Sequence, residues 1–201
     1  MKKRIISLVI LVVVVLSACG NDDIKKNTVV NADLTEREKG ILSTTSNQSF
    51  VFDFNIDSDY KEVSVWIEKY EFGSLVEEKV GQLTTEVKES GTIIFSTNKS
   101  NNTPNQLDFN IGVSSNGNTG SAPYADIISD KGTEDMALME TINQEMDINN
   151  GDVVLGSIYY YTTGEGGMVS LSSEFFNDVE GRMHELQYYD VAYLIRSNFE
   201  K

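Results

Sequence analysis

From Phe50 onward the chain alternates between apolar and polar positions. Phe50, Phe52, Phe54 and Ile56 alternate with Val51, Asp53 and Asn55, the period of a strand that buries one face. Asp57-Ser58-Asp59 then reads as a turn. Val63, Val65 and Ile67 alternate with Glu62, Ser64, Trp66 and Glu68, and Gly73-Ser74 turns the chain into residues 75–80. Residues 92–97, with Ile93, Ile94 and Phe95, form the next strand, and a polar loop over 98–105 with Pro104 follows. Leu107, Phe109, Ile111 and Val113 then alternate with Asp108, Asn110 and Gly112, and Asn116-Gly117 is a strong hairpin signal.

Beyond Gly120 the period is ambiguous. Residues 124–128 suit a strand, while Met136, Met139 or Glu140, and Asn143 also permit a helix. Asp147-Ile148-Asn149-Asn150-Gly151-Asp152 reads as a turn that launches a strand over 153–161. A glycine-rich loop, Gly164-Glu165-Gly166-Gly167, precedes 168–171, and Ser172 or Ser173 could cap a short helical turn through Phe175-Phe176. Val179, Met183 and Leu186 share one face of a short helix, and residues 191–199 close the chain as a strand. Eight or so strands, with turns roughly every 8 to 12 residues, predict a mainly β fold. The expected architecture is an antiparallel β-sandwich or open barrel with one or two short helices, in a single domain over 49–201. Two prolines leave long ladders uninterrupted, and the long helix that each parallel crossover needs is missing.

The N-terminal pattern is different. Lys2, Lys3 and Arg4 precede an apolar run over 5–16 broken only by Ser7, which reads as a secretory signal. The run is shorter than the roughly 20 residues a membrane-spanning helix needs, and Asn21-Asp22-Asp23 follows closely. Leu16-Ser17-Ala18-Cys19 resembles the lipobox of bacterial lipoproteins, with leucine, two small residues and cysteine in the family's order. The resemblance implies a diacylglyceryl thioether on Cys19, cleavage of residues 1–18, and a chain held by lipid on the extracytoplasmic face of the cell membrane. Two acyl chains suffice for stable retention where one gives only marginal binding. Cys19 is also the only cysteine, so it has no partner for a disulfide. In composition the rest of the chain is similar to small Gram-positive surface lipoproteins, a likeness that assigns no functional residues.

Residues 19–48 are poor in large apolar side chains and read as the lipidated N-terminus and a flexible tether. Asp33 with Glu36 resembles a capping box, and Gly40 would stop a short helix over 34–39.

Charge narrows the partners. The chain carries 16 Lys and Arg against 31 Asp and Glu, and loss of Lys2, Lys3 and Arg4 with the signal leaves 13 against 31, a net of -18. Such a surface excludes nucleic acid as a partner and is repelled by an anionic leaflet, so the lipid has to hold the domain at the membrane. The mature chain is long enough to build one core without disulfides.

Candidate chemistry is sparse. His184 is the only histidine, lies between Met183 and Glu185, and has no nucleophile-elbow sequence to serve, so a surface histidine is expected. One histidine and an acylated cysteine do not make a zinc site. Asp147, Asn149 and Asp152 depart from the spacing of a calcium loop and suit a turn, as do Asp53, Asp57 and Asp59 around the first hairpin. No catalytic residue, metal or cofactor is expected. If Val63, Val65 and Ile67 face the core, parity sends Trp66 and Tyr70 to the other face, where an aromatic pair could meet a ligand or partner unless another element covers it. Tyr159-Tyr160-Tyr161 presents rings to both faces of its strand and suits packing.

The expected role is therefore a non-enzymatic binding or interaction module at the cell envelope, taking a protein or an envelope component. The alternatives are a cell-wall-modifying hydrolase with paired carboxylates and a solute-binding lipoprotein, which would need two α/β lobes that the pattern does not supply.

Overall fold

The computed structural model describes residues 25–100, 102–128, 136–149, 151–161 and 170–201. Among them the chain forms eleven strands: β1 (Thr28–Asn31), β2 (Gln48–Asn55), β3 (Glu62–Glu71), β4 (Ser74–Glu86), β5 (Ser90–Lys99), β6 (Gln106–Ser115), β7 (Asn118–Ile127), β8 (Met136–Thr141), β9 (Met146–Asp147), β10 (Val153–Tyr161) and β11 (Val191–Glu200). They build two antiparallel sheets. The first has the order β7-β6-β5-β2-β1-β9 and the second β4-β3-β11-β10-β8. The fold is thus the sandwich and not the open barrel, because the two sheets remain separate ladders stacked on a shared core.

Period-two burial sets that core. Phe50, Phe52 and Phe54 of β2, Ile93 and Phe95 of β5, and Leu107, Phe109, Ile111 and Val113 of β6 are all buried, as the alternation predicts. From the second sheet Val63, Val65 and Ile67 meet them, together with Tyr193, Ile195 and Phe199 of β11. Aromatic rings bridge the layers: Phe109 and Tyr193 have centroids 5.0 Å apart, and Phe54 and Phe199 5.2 Å. Gly91 makes room for this packing, since a Cβ there would stand 2.4 Å from the Phe54 ring and 2.3 Å from the Ser114 carbonyl oxygen. The last strand, β11, lies centrally between β3 and β10 and pairs with both.

Several expectations change at the boundaries. Residues 28–45 do not behave as a tether. β1 pairs with β2 and β9, Val29 is fully buried, and the Asn27 amide donates to Asp57 at 2.7 Å. An apolar run of two valines is too short to reveal itself by period, and only the distant edge of β2 makes it a strand. Helix α1 (Glu36–Thr45) follows and buries no residue. Its capping box is Thr35 with Glu38 instead of Asp33 with Glu36: the Thr35 amide donates to Glu38 at 2.8 Å, and the Glu38 amide donates to the Thr35 hydroxyl at 3.3 Å. The helix runs through Gly40 to its cap at Ser46, whose amide bonds the Leu42 carbonyl. The sheet therefore takes in residues from Thr28, within the stretch over 19–48 expected to be a tether.

The ambiguous stretch resolves as strand. β8 pairs with β10 along its length, so the helix permitted around Met136 to Asn143 does not form. The first hairpin of the second sheet turns on Phe72-Gly73, one residue earlier than the expected Gly73-Ser74. Both turn residues have positive φ, 48° and 77°, as do Asn116 and Gly117 at 51° and 77°. The face shared by Val179, Met183 and Leu186 is divided between a short helix, α2 (Val179–Arg182), and a 3-10 turn (Met183–Tyr188). The glycine-rich loop over 164–167 and the start of 168–171 lie outside the described residues.

Val29→Ala should lower the unfolding free energy by about 1–3 kcal/mol in urea denaturation. A chain whose residues 19–48 form a free tether would show no change.

Candidate functional site

One face of the second sheet packs on the first; the other is only partly covered. Residues 171–189 cross that outer face, burying Leu171, Phe175, Phe176, Leu186 and Tyr189. Tyr189 stacks against Tyr159 of β10 with centroids 4.1 Å apart, and burial pushes the Tyr189 hydroxyl up to about 12. Glu185 ties the crossing segment together. It accepts from the Ser172 amide and hydroxyl, each at 2.7 Å, and from Arg182 at 3.2 Å. Burial opposes its ionisation, but these bonds outweigh the penalty and hold the carboxyl below the usual range.

The uncovered part is a groove of about 420 Å³, lined by Trp66, Glu68, Leu75, Glu78, Lys79 and Asn198 among others. Its floor is set by a network centred on Glu68. One carboxylate oxygen accepts from Arg196 Nε and the Tyr70 hydroxyl, both at 2.7 Å, and the other from Trp66 Nε1 at 3.3 Å. Burial, followed by the Glu68 carboxylate, pushes the Tyr70 phenol well above its ordinary value. Burial also works against the Arg196 charge, yet Glu68 more than offsets it and the guanidinium pKa rises. Trp66 is 8% exposed, with the Lys79 ammonium 5.8 Å from its ring centroid. The groove wall comes from a register shift: Ile67 opposes Gly81 while Lys69 opposes Glu77, so β4 has extra chain at residues 78–80.

An apolar patch continues from this groove. Leu75, already in the groove lining, stands beside Val76, and the adjoining turn carries Phe72. The Phe72 amide donates to the Tyr189 carbonyl at 3.2 Å, which brings the hairpin against exposed Tyr188. Phe72, Leu75, Val76 and Tyr188 are four of the seven large apolar side chains exposed among the described residues, at 66%, 46%, 50% and 59%. Phe72 also holds a left-handed backbone that a bulky residue seldom adopts.

The sequence candidates distribute as follows. Trp66 and Tyr70 do share the outer face, joined through Glu68, but Tyr70 is buried where β3 meets the 3-10 turn and is not an open contact. Trp66 keeps only its groove edge. His184 is exposed on that turn. Asp147 accepts from the Asn149 amide and side chain at 2.7 Å each, and Asp57 from Asn27 and the Asp59 amide, so both serve turns. Among the described residues no three potential ligands gather as a metal site. Tyr159 and Tyr160 are buried on opposite faces of β10. Leu16, Ser17, Ala18 and Cys19 lie outside the described residues.

A larger hollow of about 560 Å³ lies at the sandwich end, lined by residues that include Asp57, Tyr60, Lys61, Glu86 and Lys88. Its one aromatic ring, Tyr60, is 5% exposed and bonded to Asn149 at 3.0 Å, and charged side chains of both signs stand around it. The Trp66 groove differs in carrying a tryptophan ring with a cation over it.

Sequence reasoning missed Arg196 and Glu68 as partners, which stand 128 positions apart. A signal existed: Arg196 interrupts the apolar run of the closing strand, and a charge there has to be paired if the strand is central.

These features define an antiparallel two-sheet sandwich whose second sheet is capped at one end and grooved at the other. The chain belongs to the YgaN domain family, whose model matches residues 28–199, from the first residue of β1 to the penultimate residue of β11. No curated protein and no solved structure matched the chain.

Glu68→Ala should cost on the order of 3 kcal/mol, because Arg196 would lose its buried counter-charge. Trp66 is the only tryptophan, so native-state fluorescence should shift in parallel, and an unchanged spectrum and urea midpoint would remove Glu68 from its central place.

Proposed function

We propose that this chain is a lipid-anchored extracytoplasmic binding module that holds a protein partner through the Trp66 groove and the adjoining hairpin tip. The observation carrying this reading is the gathering of Phe72, Leu75, Val76 and Tyr188 beside the groove, when exposed apolar residues on a monomer are usually scattered. Trp66 in the floor and Leu75 at the edge are the kinds of side chain that anchor interface centres, here set among polar residues. The acidic rim, exposed Glu78, Asp152 and Glu200 of the groove lining, favours a partner with basic residues around an apolar anchor. The same rim disfavours an anionic leaflet as the occupant.

The anchor rests on Leu16-Ser17-Ala18-Cys19. With β1 starting at Thr28, residues 20–27 lie between the first strand and Cys19. Eight residues reach at most roughly 26–29 Å even when fully extended. Among the described residues no helix is long and apolar enough to cross a membrane. The domain is then held against the outer face of the cell membrane, where its partner must be membrane-bound or immediately adjacent.

Two measurements check this. Cys19→Ser should move the protein from the membrane fraction to the soluble one, and undiminished membrane retention would count against the thioether. A photo-crosslinking residue at Val76 should give a discrete adduct in intact cells, whereas one at Ile41 on α1, 51% exposed, should give none. Equal labelling from both positions, or none from either, would remove the docking face. Release of fragments from purified peptidoglycan would put a hydrolase in its place.

A further inference from the structure

Lys69 sits on the wrong face for a charge. It shares the parity of Val63, Val65 and Ile67, so its side chain enters the space between the sheets and is 9% exposed. There its Nζ lies 2.7 Å from Oδ2 of Asp126, a residue of β7 in the opposite sheet, and 3.6 Å from Glu71 Oε1. It also donates to the Ile127 carbonyl at 3.3 Å. The Tyr193 hydroxyl donates to the same Asp126 oxygen at 2.6 Å. Asp126 is 15% exposed, Tyr193 is fully buried, and the rings of Phe109 and Tyr160 lie 5.0 and 6.4 Å from that of Tyr193. An amine, a carboxyl, a second carboxylate and a phenolic donor are thus enclosed by aromatic walls. β4 and β7 meet beside them, where the Tyr124 hydroxyl donates to the Gln82 carbonyl.

We propose that Lys69 and Asp126 condense to an intramolecular amide that joins the two sheets covalently. A proton moving from the Lys69 ammonium to Asp126 Oδ2, 2.7 Å away, gives a free amine and a carboxylic acid without change of net charge. The free amine then attacks the Asp126 carboxyl carbon. Glu71 takes a proton from the attacking nitrogen and returns it to the departing hydroxyl. The C–O bond breaks, one water leaves, and the Nζ–Cγ amide remains. No oxidant, reductant or cofactor enters. The Tyr193 hydroxyl donates to Oδ2, the oxygen that takes the Lys69 proton and departs, and so supports its loss as water. Attack needs no diffusion, because the fold holds both groups in contact, and a desolvated lysine is an activated nucleophile. In a chain whose only cysteine is the expected lipid site, such a bond would close the chain between β3 and β7 as a disulfide does in other exported proteins.

The test is peptide mapping of the full chain, extracted from membranes, denatured and digested with trypsin. Condensation blocks cleavage at Lys69, so residues 62–79 should appear joined to residues 100–131, lighter by one water than their summed mass. Finding 62–69 and 100–131 only as separate peptides would leave an ion pair and overturn the proposal. Glu71→Gln should reduce the joined species at least tenfold, with native Trp66 fluorescence showing that the fold persists. Joined peptide at the wild-type level in that variant would overturn the proton transfer assigned to Glu71. Asp126→Ala gives the mass of the unlinked chain for reference.

Discussion

Burial of alternating side chains between two sheets is the constraint on which the molecule rests. Cys19 is the only cysteine and no disulfide is available, so the apolar rows of β2, β5 and β6 must find an opposing surface. That surface is β3 and β11, whose inner rows supply Val63, Val65, Ile67, Tyr193, Ile195 and Phe199. Phe109 against Tyr193 and Phe54 against Phe199 lock the layers at two points along the sandwich. Register follows from the same rows, because a slip of one residue would turn each of them toward solvent.

The second consequence concerns the outer face of the second sheet. A sandwich needs only one buried face per sheet, yet β10 and β11 are buried on both sides. The segment crossing over them supplies Leu171, Phe175, Phe176, Leu186 and Tyr189 to complete the cover, and its reach decides where cover stops. Trp66 lies at that margin, and β4 carries its extra residues just there. The groove is therefore a product of incomplete layering, with Glu68 and Arg196 satisfying each other's charge beneath it. Charges near the sandwich interior obey the same rule. Lys69 is tolerated between the sheets because Asp126 and Glu71 face it, and an unpaired ammonium in that position would be costly.

Much of this was legible before any fold was known. Phe50 through Ile56, Val63 through Ile67 and Leu107 through Val113 declared their buried faces by period alone, and Asn116-Gly117 declared its hairpin. β1 was hidden for a physical reason: two valines in a polar stretch carry no period, and their strand exists only because β2 offers an open edge. The helix ended later than Gly40 suggested, since its other residues and the Thr35 box outweigh one glycine's cost. Lys69 could have been noticed as a charge at a core parity position, but nothing in the linear order points to Asp126 as its partner.

By itself the sequence determined the class of fold, the faces of most strands, the acidic surface and the lipobox-like motif, because each depends on residues that are neighbours along the chain. Only the tertiary structure decided that Tyr70 is covered and Trp66 marginal, that Phe72 and Tyr188 come together, and that Glu68 meets Arg196. Those outcomes depend on which strands become adjacent and how far the segment over β10 and β11 extends. Both are set by packing between residues more than a hundred positions apart, where local period carries no information.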